Sequence, residues 1–509
     1  MKKDFNSADR LAHIPEPVYD EQPELAEFYR FAWKLVDKHV KHIPGMTQNP
    51  YMDEAFCHTQ IWIWDTCFMS LFCKYAPDVF PGVESLHNFY DVMYGGRRFP
   101  LVTVPDDEPE WTGGIPGQQK RLQMNIADNP PLFAWAEYEN AMFTGDLEHI
   151  RTLLLQEQYL QKHYFWLENL KERFQAEWTN APTCWIAHEN GYSWEGGRSG
   201  MDNSPRGRAG DRAEKERPAT PDLLWLDALA QQCMSADHIG RLFALIGHNA
   251  EAAEWKARAE RKGELLRTLY WDPEDRMFYD RSLSKGTFCK VPTIASFWPL
   301  AAGAATREQA EAMAEKLEDP AFFGGERPLT SLAHKDPDFV ADRGNYWRGT
   351  VWMPTAYMTL FGLCRYGMHD LARKTARKLL RHLWNTYHDF EPHTIWESYS
   401  PSKDEPAKCT DNEHFVRKDF CGWSALAPIS LLIENIIGID GFDSAARTLR
   451  WEPGISEGRL GVRNLNFGNG RVDLVREDGK IRIRGDFPLT VLYKGRKLEC
   501  KAGDNEFSA

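Results

Sequence analysis

Two carboxylates in dense polar and aromatic settings stand nearly two hundred residues apart. Asp202 lies in Gly200-Met201-Asp202-Asn203-Ser204-Pro205-Arg206, and Glu397 lies in Trp396-Glu397-Ser398-Tyr399-Ser400-Pro401. A carboxylic acid paired with a carboxylate, with aromatic surface close by, is the equipment for cleaving a glycosidic bond. One group protonates the leaving oxygen while the other activates water or attacks the sugar carbon. The bland alternative makes Asp202 a helix cap and Glu397 half of an ion pair. The crowding of Pro, Ser, Asn, Arg and Trp around both favours the chemical reading.

The 509-residue chain is 42% hydrophobic and 27% charged, ordinary for a globular protein able to bury a large core. Its net charge of −13 argues against a nucleic-acid partner, because phosphate binding needs a basic face. The opening Met1-Lys2-Lys3-Asp4-Phe5-Asn6 leads into no apolar run, so no signal peptide is expected. No stretch of about 18 apolar residues exists, so no membrane span is expected either. The ten cysteines are scattered without Cys-x-x-Cys spacing, as for buried thiols of a reducing cytoplasm. No metal-ligand cluster stands out among the sixteen histidines and no phosphate loop appears, so neither metal nor cofactor is called for. The 19 tryptophans and 18 tyrosines suit stacking on sugar faces, although tryptophan also fills ordinary cores.

Two kinds of helical segment alternate along the chain. One is apolar nearly all round, as in Thr350 to Cys364 and Gly422 to Ile436. The other is striped, as in Asp370 to His388, where Ala372, Ala376, Leu379, Leu380 and Leu383 face one way and Arg and Lys the other. A helix apolar on all sides is buried, and a striped one meets water on one side. This gives six inner helices near 65–75, 130–144, 221–236, 293–303, 350–364 and 422–436. Outer partners lie near 24–42, 84–95, 147–174, 249–271, 307–318 and 369–387. The alternation predicts a mainly α fold, an (α/α)6 barrel over 1–445, with a small β-rich appendage over 446–509. In the appendage Val472, Leu474, Ile481 and Ile483 alternate with polar residues around an Asp478-Gly479 turn, and Leu489 to Tyr493 reads as a strand. The polar-aromatic motifs all precede inner helices. Parallel inner helices would gather them at one mouth, where helix N-termini favour polar ligands.

At these residues the chain resembles glycoside hydrolase family 63, with trehalases as distant relatives. The motifs are Trp64-Asp65-Thr66-Cys67-Phe68, Gly200 to Arg206, Tyr346-Trp347-Arg348-Gly349-Thr350-Val351-Trp352, Trp396 to Pro401, and Phe420-Cys421-Gly422-Trp423, in the family's order. The resemblance implies an inverting, exo-acting α-glucosidase-type hydrolase for α-linked, mostly gluco-configured sugars. It implies Asp202 as general acid and Glu397 as general base. Trp64 and Asp65 match residues that contact the terminal sugar, and Tyr346, Trp347 and Trp352 match aromatic pocket walls. Arg348 either contacts substrate or anchors its loop, and Trp396 and Trp423 complete the candidate lining. Relatives carry Gln-Pro-Pro where this chain has Asn129-Pro130-Pro131, so Asn129 is a shorter candidate contact. Gln118, Gln119, Asn125 and Asp128 are possible substitutes. Trp194 and Glu195 either line the pocket or brace its loop, and Arg206 is expected to hold the loop through an ion pair.

The expected partner is a small carbohydrate. Two rival functions remain: a sugar epimerase or isomerase drawing on His188, His393 or His414 as bases, and a glycan-binding protein without catalysis. The sequence gives neither the aglycone nor the oligomeric state.

Overall fold

The computed structural model describes residues 7–42, 48–54, 61–90, 129–173, 183–206, 219–454 and 457–509, and the backbone of the short strand Val102–Thr103. Helix Ile63–Cys73 is buried along its whole length. Ala427–Ile437 is buried at nearly every position, and Met353–Arg365, Phe133–Thr144 and Leu226–Leu245 at most of theirs. Each large apolar side chain taken from water stabilises the fold by about 1.5–3 kcal/mol. A helix with no polar face therefore has to lie inside. The stretch expected as a helix over 293–303 is instead a tight turn, Ile294–Phe297, followed by Trp298–Ala301 with Pro299 in its first turn.

Striped helices bury one face. In Asn249–Leu265 the buried residues are Trp255, Ala259 and Gly263, four apart. His369–Asp389 buries Ala372, Ala376, Leu379, Leu380 and Leu383, the stripe read from the sequence. Pro23–Asp37 opens with proline in its first turn, and Arg307–Glu318 opens with a reciprocal cap between Thr306 and Gln309. The helix expected over 147–174 is broken: Leu147–Arg151 runs into a wide-turned segment, Thr152–Glu157, and Gln158 at φ 58° separates it from Tyr159–Asn169. Of the span near 84–95, the short helices Gly82–Ser85 and His87–Tyr90 are seen, and 91–95 lie outside the described residues.

Three buried helices begin at one end of the molecule. Trp64 lies in the first turn of Ile63–Cys73, Trp352 caps Met353–Arg365, and Trp423 caps the turn Ser424–Leu426 that leads into Ala427–Ile437. The ring of Trp423 lies 5.7 Å from that of Trp64 and 5.6 Å from that of Trp352. The loops entering these helices therefore meet.

Two sheets follow the helices. One is antiparallel in the order Glu16–Tyr19, Leu460–Phe467, Gly470–Glu477, Lys480–Gly485, Gly503–Ser508. Val472, Leu474, Ile481 and Ile483 are buried within it, and Asp478 and Gly479 form its tight turn at positive φ. It draws its first strand from the chain's N-terminal region, which the sequence pattern did not reveal. The other joins Ile439–Asp443, Thr448–Trp451, Leu489–Tyr493 and Arg496–Cys500, so strand structure starts at 439 rather than 446. A further five-stranded sheet, not foreseen from the sequence, runs Phe288–Cys289, Asp280–Ser282, Ala219–Leu224, Gly191–Glu195, Ile186–His188. It carries the approach to Asp202.

Candidate active site

Asp202 follows the five-stranded sheet through one short helical turn, Gly196–Ser199. The turn closes at Gly200 with φ 80°, a conformation that favours glycine. A β-carbon at Gly200 would stand 2.5 Å from the ring of Trp64, and one at Gly196 would stand 2.6 Å from the carbonyl of Asp202. Both glycines are close-approach positions that press the Asp202 loop against Trp64. Arg206 fixes the far end of the loop. Fully buried, it bonds Asp227 (2.6 and 2.8 Å) and Asp280 (2.8 and 2.6 Å) and lies over the Trp225 ring at 4.2 Å. This is the expected loop anchor. Trp194 is buried against Trp185 and Trp225, and Glu195 lies 3.7 Å from Arg198, so both brace the loop.

Asn203 stitches the loop to the 345–348 segment. Its side chain donates to the carbonyl (3.1 Å) and side-chain oxygen (2.8 Å) of Asn345 and accepts from the N–H of Trp347 at 2.7 Å. Its own carbonyl accepts from Arg348 Nε at 2.9 Å. That bond makes Arg348 an anchor of the loop.

Glu397 sits in an extended segment held from both sides. Tyr399 exchanges two backbone bonds with Val351, and the N–H of Glu397 donates to the carbonyl of Arg417 at 2.9 Å. The carboxylate, 1% exposed, accepts from Tyr346 Oη at 3.1 Å, from Arg417 Nη1 at 2.9 Å and from the Arg417 N–H at 3.2 Å. Trp423 Nε1 donates to its carbonyl at 2.7 Å. Arg417 was absent from the sequence-based candidates. Its segment carries no helical period, and its role becomes visible once the chain pairing between 396–397 and 417–418 is known.

Asp65 lies in the same electrostatic neighbourhood. Burial, and then the neighbouring carboxyl groups of Glu397 and Asp202, push its carboxyl up to about 8, so it keeps its proton near neutrality. Burial and the same two carboxyl groups also hold the Tyr346 phenol far above its usual range, which keeps it a hydrogen-bond donor. Asp202, partly exposed, and Glu397, buried, thus act on two shared neighbours.

The aromatic residues divide. Trp347 and Trp352 stack at 4.2 Å with an interplanar angle of 1° and are buried to 1% and 0% exposure, so they back the site rather than present open faces. Tyr346 stands edge-on to Trp352 at 4.8 Å. Trp64 and Trp423 retain 7% and 6% exposure and lean on this stack. Trp396 turns the other way, its ring against Phe390 and Phe415, as alternation along an extended segment requires. The structure does not bring it to the other candidates. Asn129 is buried, and its side-chain oxygen has no hydrogen-bond partner among the described residues. Gln118, Gln119, Asn125 and Asp128 lie outside the described residues.

The histidines that an epimerase would need are engaged elsewhere. His188 bonds Ser193, His393 pairs with Glu391, and His414 pairs with Asp411. Among the described residues one group has metal-ligand character, Cys364, His369 and Asp440. It lies at the opposite end of the Met353–Arg365 helix from Trp352, and Arg450 already bonds Asp440. Among the described residues no helix is long and apolar enough to cross a membrane.

Residues 92–416 match the family described as the mannosylglycerate hydrolase MGH1-like glycoside hydrolase domain. The chain belongs to this family, within glycoside hydrolase family 63. This glycoside hydrolase is 26% identical over 444 residues to an uncharacterized protein of Borreliella burgdorferi, covering 85% of this chain and 84% of that one. It is 29% identical over 383 residues to the mannosylglycerate hydrolase of Rubrobacter radiotolerans, covering 63% of this chain and 82% of that one. Its fold is shared with the family 63 mannosylglycerate hydrolase of Thermus thermophilus, solved with glucose. There the TM-score is 0.56 at 20% identity, over 79% of this chain and 99% of that one.

Proposed function

We propose that this hydrolase is an inverting, exo-acting enzyme for small α-linked glycosides, with Asp202 as general acid and Glu397 as general base. The supporting frame is a pair of helical rings, an (α/α)6 barrel, whose buried helices open at the shared mouth. The observation that carries the reading is the setting of Glu397. A buried carboxylate is held in place by a phenol and a guanidinium, and it shares two neighbours with the partly exposed Asp202.

In the proposed reaction, water bonded to Glu397 gives its proton to that carboxylate as its oxygen attacks the anomeric carbon. The carbon–oxygen bond to the aglycone breaks, and the departing oxygen takes the proton of Asp202. Trp64 offers the apolar face and protonated Asp65 a polar group for the terminal sugar. Trp347, Trp352 and Trp423 exclude water behind it, so the charges act in a medium of low polarity.

The sugar is gluco- or manno-configured. A glycerate aglycone is the first to test, because the family and its Rubrobacter and Thermus members carry mannosylglycerate hydrolase in their names. Cys67, Cys233, Cys364 and Cys421 are free thiols, which suits a reducing cytoplasmic setting. The test is hydrolysis of mannosylglycerate, glucosylglycerate, trehalose, kojibiose, nigerose and isomaltose, with the anomeric proton followed by NMR before mutarotation. Inversion releases the β-sugar from an α-glycoside. Initial release of the α-anomer would overturn the assignment of both carboxylates.

A further inference from the structure

Asp65 lies within electrostatic reach of both Asp202 and Glu397, yet acid–base chemistry needs the negative charge to rest on one carboxyl group in particular. Like charges in a dry site cannot all ionise, so something must choose. Among the described residues, Glu397 interacts with the Tyr346 phenol, Arg417, Asp65 and the Cys409 thiol, while Asp202 acts on Asp65 and Tyr346. One of these is a cation.

Arg417 meets the carboxylate at both oxygens. Its guanidinium Nη1 bonds Oε1 at 2.9 Å and its backbone N–H bonds Oε2 at 3.2 Å. The backbone of the same residue also accepts from the N–H of Glu397, so the two residues are paired as neighbouring chain segments before their side chains meet. The guanidinium enters from the rim. The Arg417 side chain is 40% exposed, whereas that of Glu397 is 1% exposed. It thereby keeps much of its own hydration while placing a charge-assisted bond on a carboxylate that has lost its water.

We infer that Arg417 is a positioning residue that assigns the site's negative charge to Glu397, and so makes Glu397 rather than Asp65 the base. Tyr346 supplies a second, neutral donor to the same oxygen and cannot do this alone, because a phenol stabilises a carboxylate far less than a guanidinium does. Asp65 has no such cation bonded to it among the described residues. Burial first, and then the charge on Glu397, keep it protonated and neutral toward substrate. The inference rests on Glu397 being the base.

The test uses the full-length enzyme and α-glucosyl and α-mannosyl fluoride, whose leaving group needs no protonation. The acidic limb of kcat/KM against pH then reports the base without interference from the acid. For Arg417→Met the acidic limb is expected to rise by about one pH unit, so that kcat/KM on that limb falls by up to about tenfold. Arg417→Lys should keep the limb within a few tenths of a unit of wild type. For Arg417→Ala, added guanidinium ion should move the limb back toward wild type, since the site is open to solvent at this residue. A limb in Arg417→Met at the wild-type pH, or the same displacement in Arg417→Lys, would overturn the inference and leave Arg417 a structural strut. Failure of the underlying reading looks different: wild type would turn over neither fluoride, or Glu397→Gln would keep its activity.

Discussion

The side-chain oxygen of Asn203 accepts the backbone N–H of Trp347 at 2.7 Å. Asn203 directly follows the proposed acid, and Trp347 directly follows the tyrosine that donates to the proposed base. This bond links the two halves of the site directly. The Asn203 side chain makes two further bonds, both to Asn345. Replacing it with Ala leaves the buried Trp347 N–H unpartnered, which costs about 1–3 kcal/mol. It also frees the Asp202 loop to drift, and a displacement of about 1 Å at a reacting group costs on the order of 10²-fold. Asn203→Ala is therefore expected to lower kcat by roughly that factor with KM changed less than threefold. Steady-state kinetics on the best substrate of the panel, beside a thermal melt, checks it. A rise in KM alone would place Asn203 in sugar binding instead.

Removing each proposed catalytic group should leave a different signature. Asp202→Asn should suppress turnover of a glycoside with a poor leaving group by about 10²–10⁴-fold, and spare the glycosyl fluorides. Glu397→Gln should suppress both kinds of substrate, because water activation is needed whatever departs. Equal losses on both kinds in Asp202→Asn would remove it from the role of acid.

Much of this site was legible in the sequence, because its groups sit in short motifs rich in Trp, Asp, Asn and Pro directly before apolar helices. Trp64, Trp352 and Trp423 mark helix starts, and helices without a polar face have one place to go. What stayed hidden depends on pairing between distant segments. The strand Glu16–Tyr19 joins Leu460–Phe467 across more than four hundred residues, and no local period announces it. Arg417 reaches Glu397 through backbone pairing of the same kind. The sheet leading to Asp202 has strands of two to six residues, too short for an alternation to be read. Trp396 was misjudged for a related reason: in an extended segment it must face away from its neighbour Glu397.

Arg206 ties the Asp202 loop to two buried carboxylates, and that arrangement makes a strong prediction about stability. Replacing it with Met keeps much of the volume over Trp225 but leaves Asp227 and Asp280 facing each other without a cation. Breaking a buried pair by removing one partner costs about 3–5 kcal/mol. Lys restores the charge but not the planar fork that makes four bonds, so Arg206→Lys should fall between wild type and Met. Urea denaturation of the three proteins orders them. Arg206→Met within 1 kcal/mol of wild type would show that water reaches this cluster.

Asp65 gives the fold a pH dependence of unusual sign for a carboxyl group. Burial, joined by the neighbouring carboxyl groups of Glu397 and Asp202, raises it in the folded protein to about 8, whereas in the unfolded chain it titrates in the ordinary carboxylate range. Between those two values the folded state holds a proton that the unfolded state has released. Stability therefore falls as pH rises through that window, by up to about 1.4 kcal/mol per pH unit from this group alone. Above the folded value Asp65 is ionised in both states, and its contribution levels off. Asn has nearly the same shape and no proton to lose. The stability of Asp65→Asn minus that of wild type should then increase steadily from pH 5 to pH 8. The comparison is made in urea melts at matched ionic strength, where the pH dependence common to both proteins cancels. A difference that stays flat across this range would mean that Asp65 is already ionised in the folded enzyme, and would remove it as a neutral partner for the sugar.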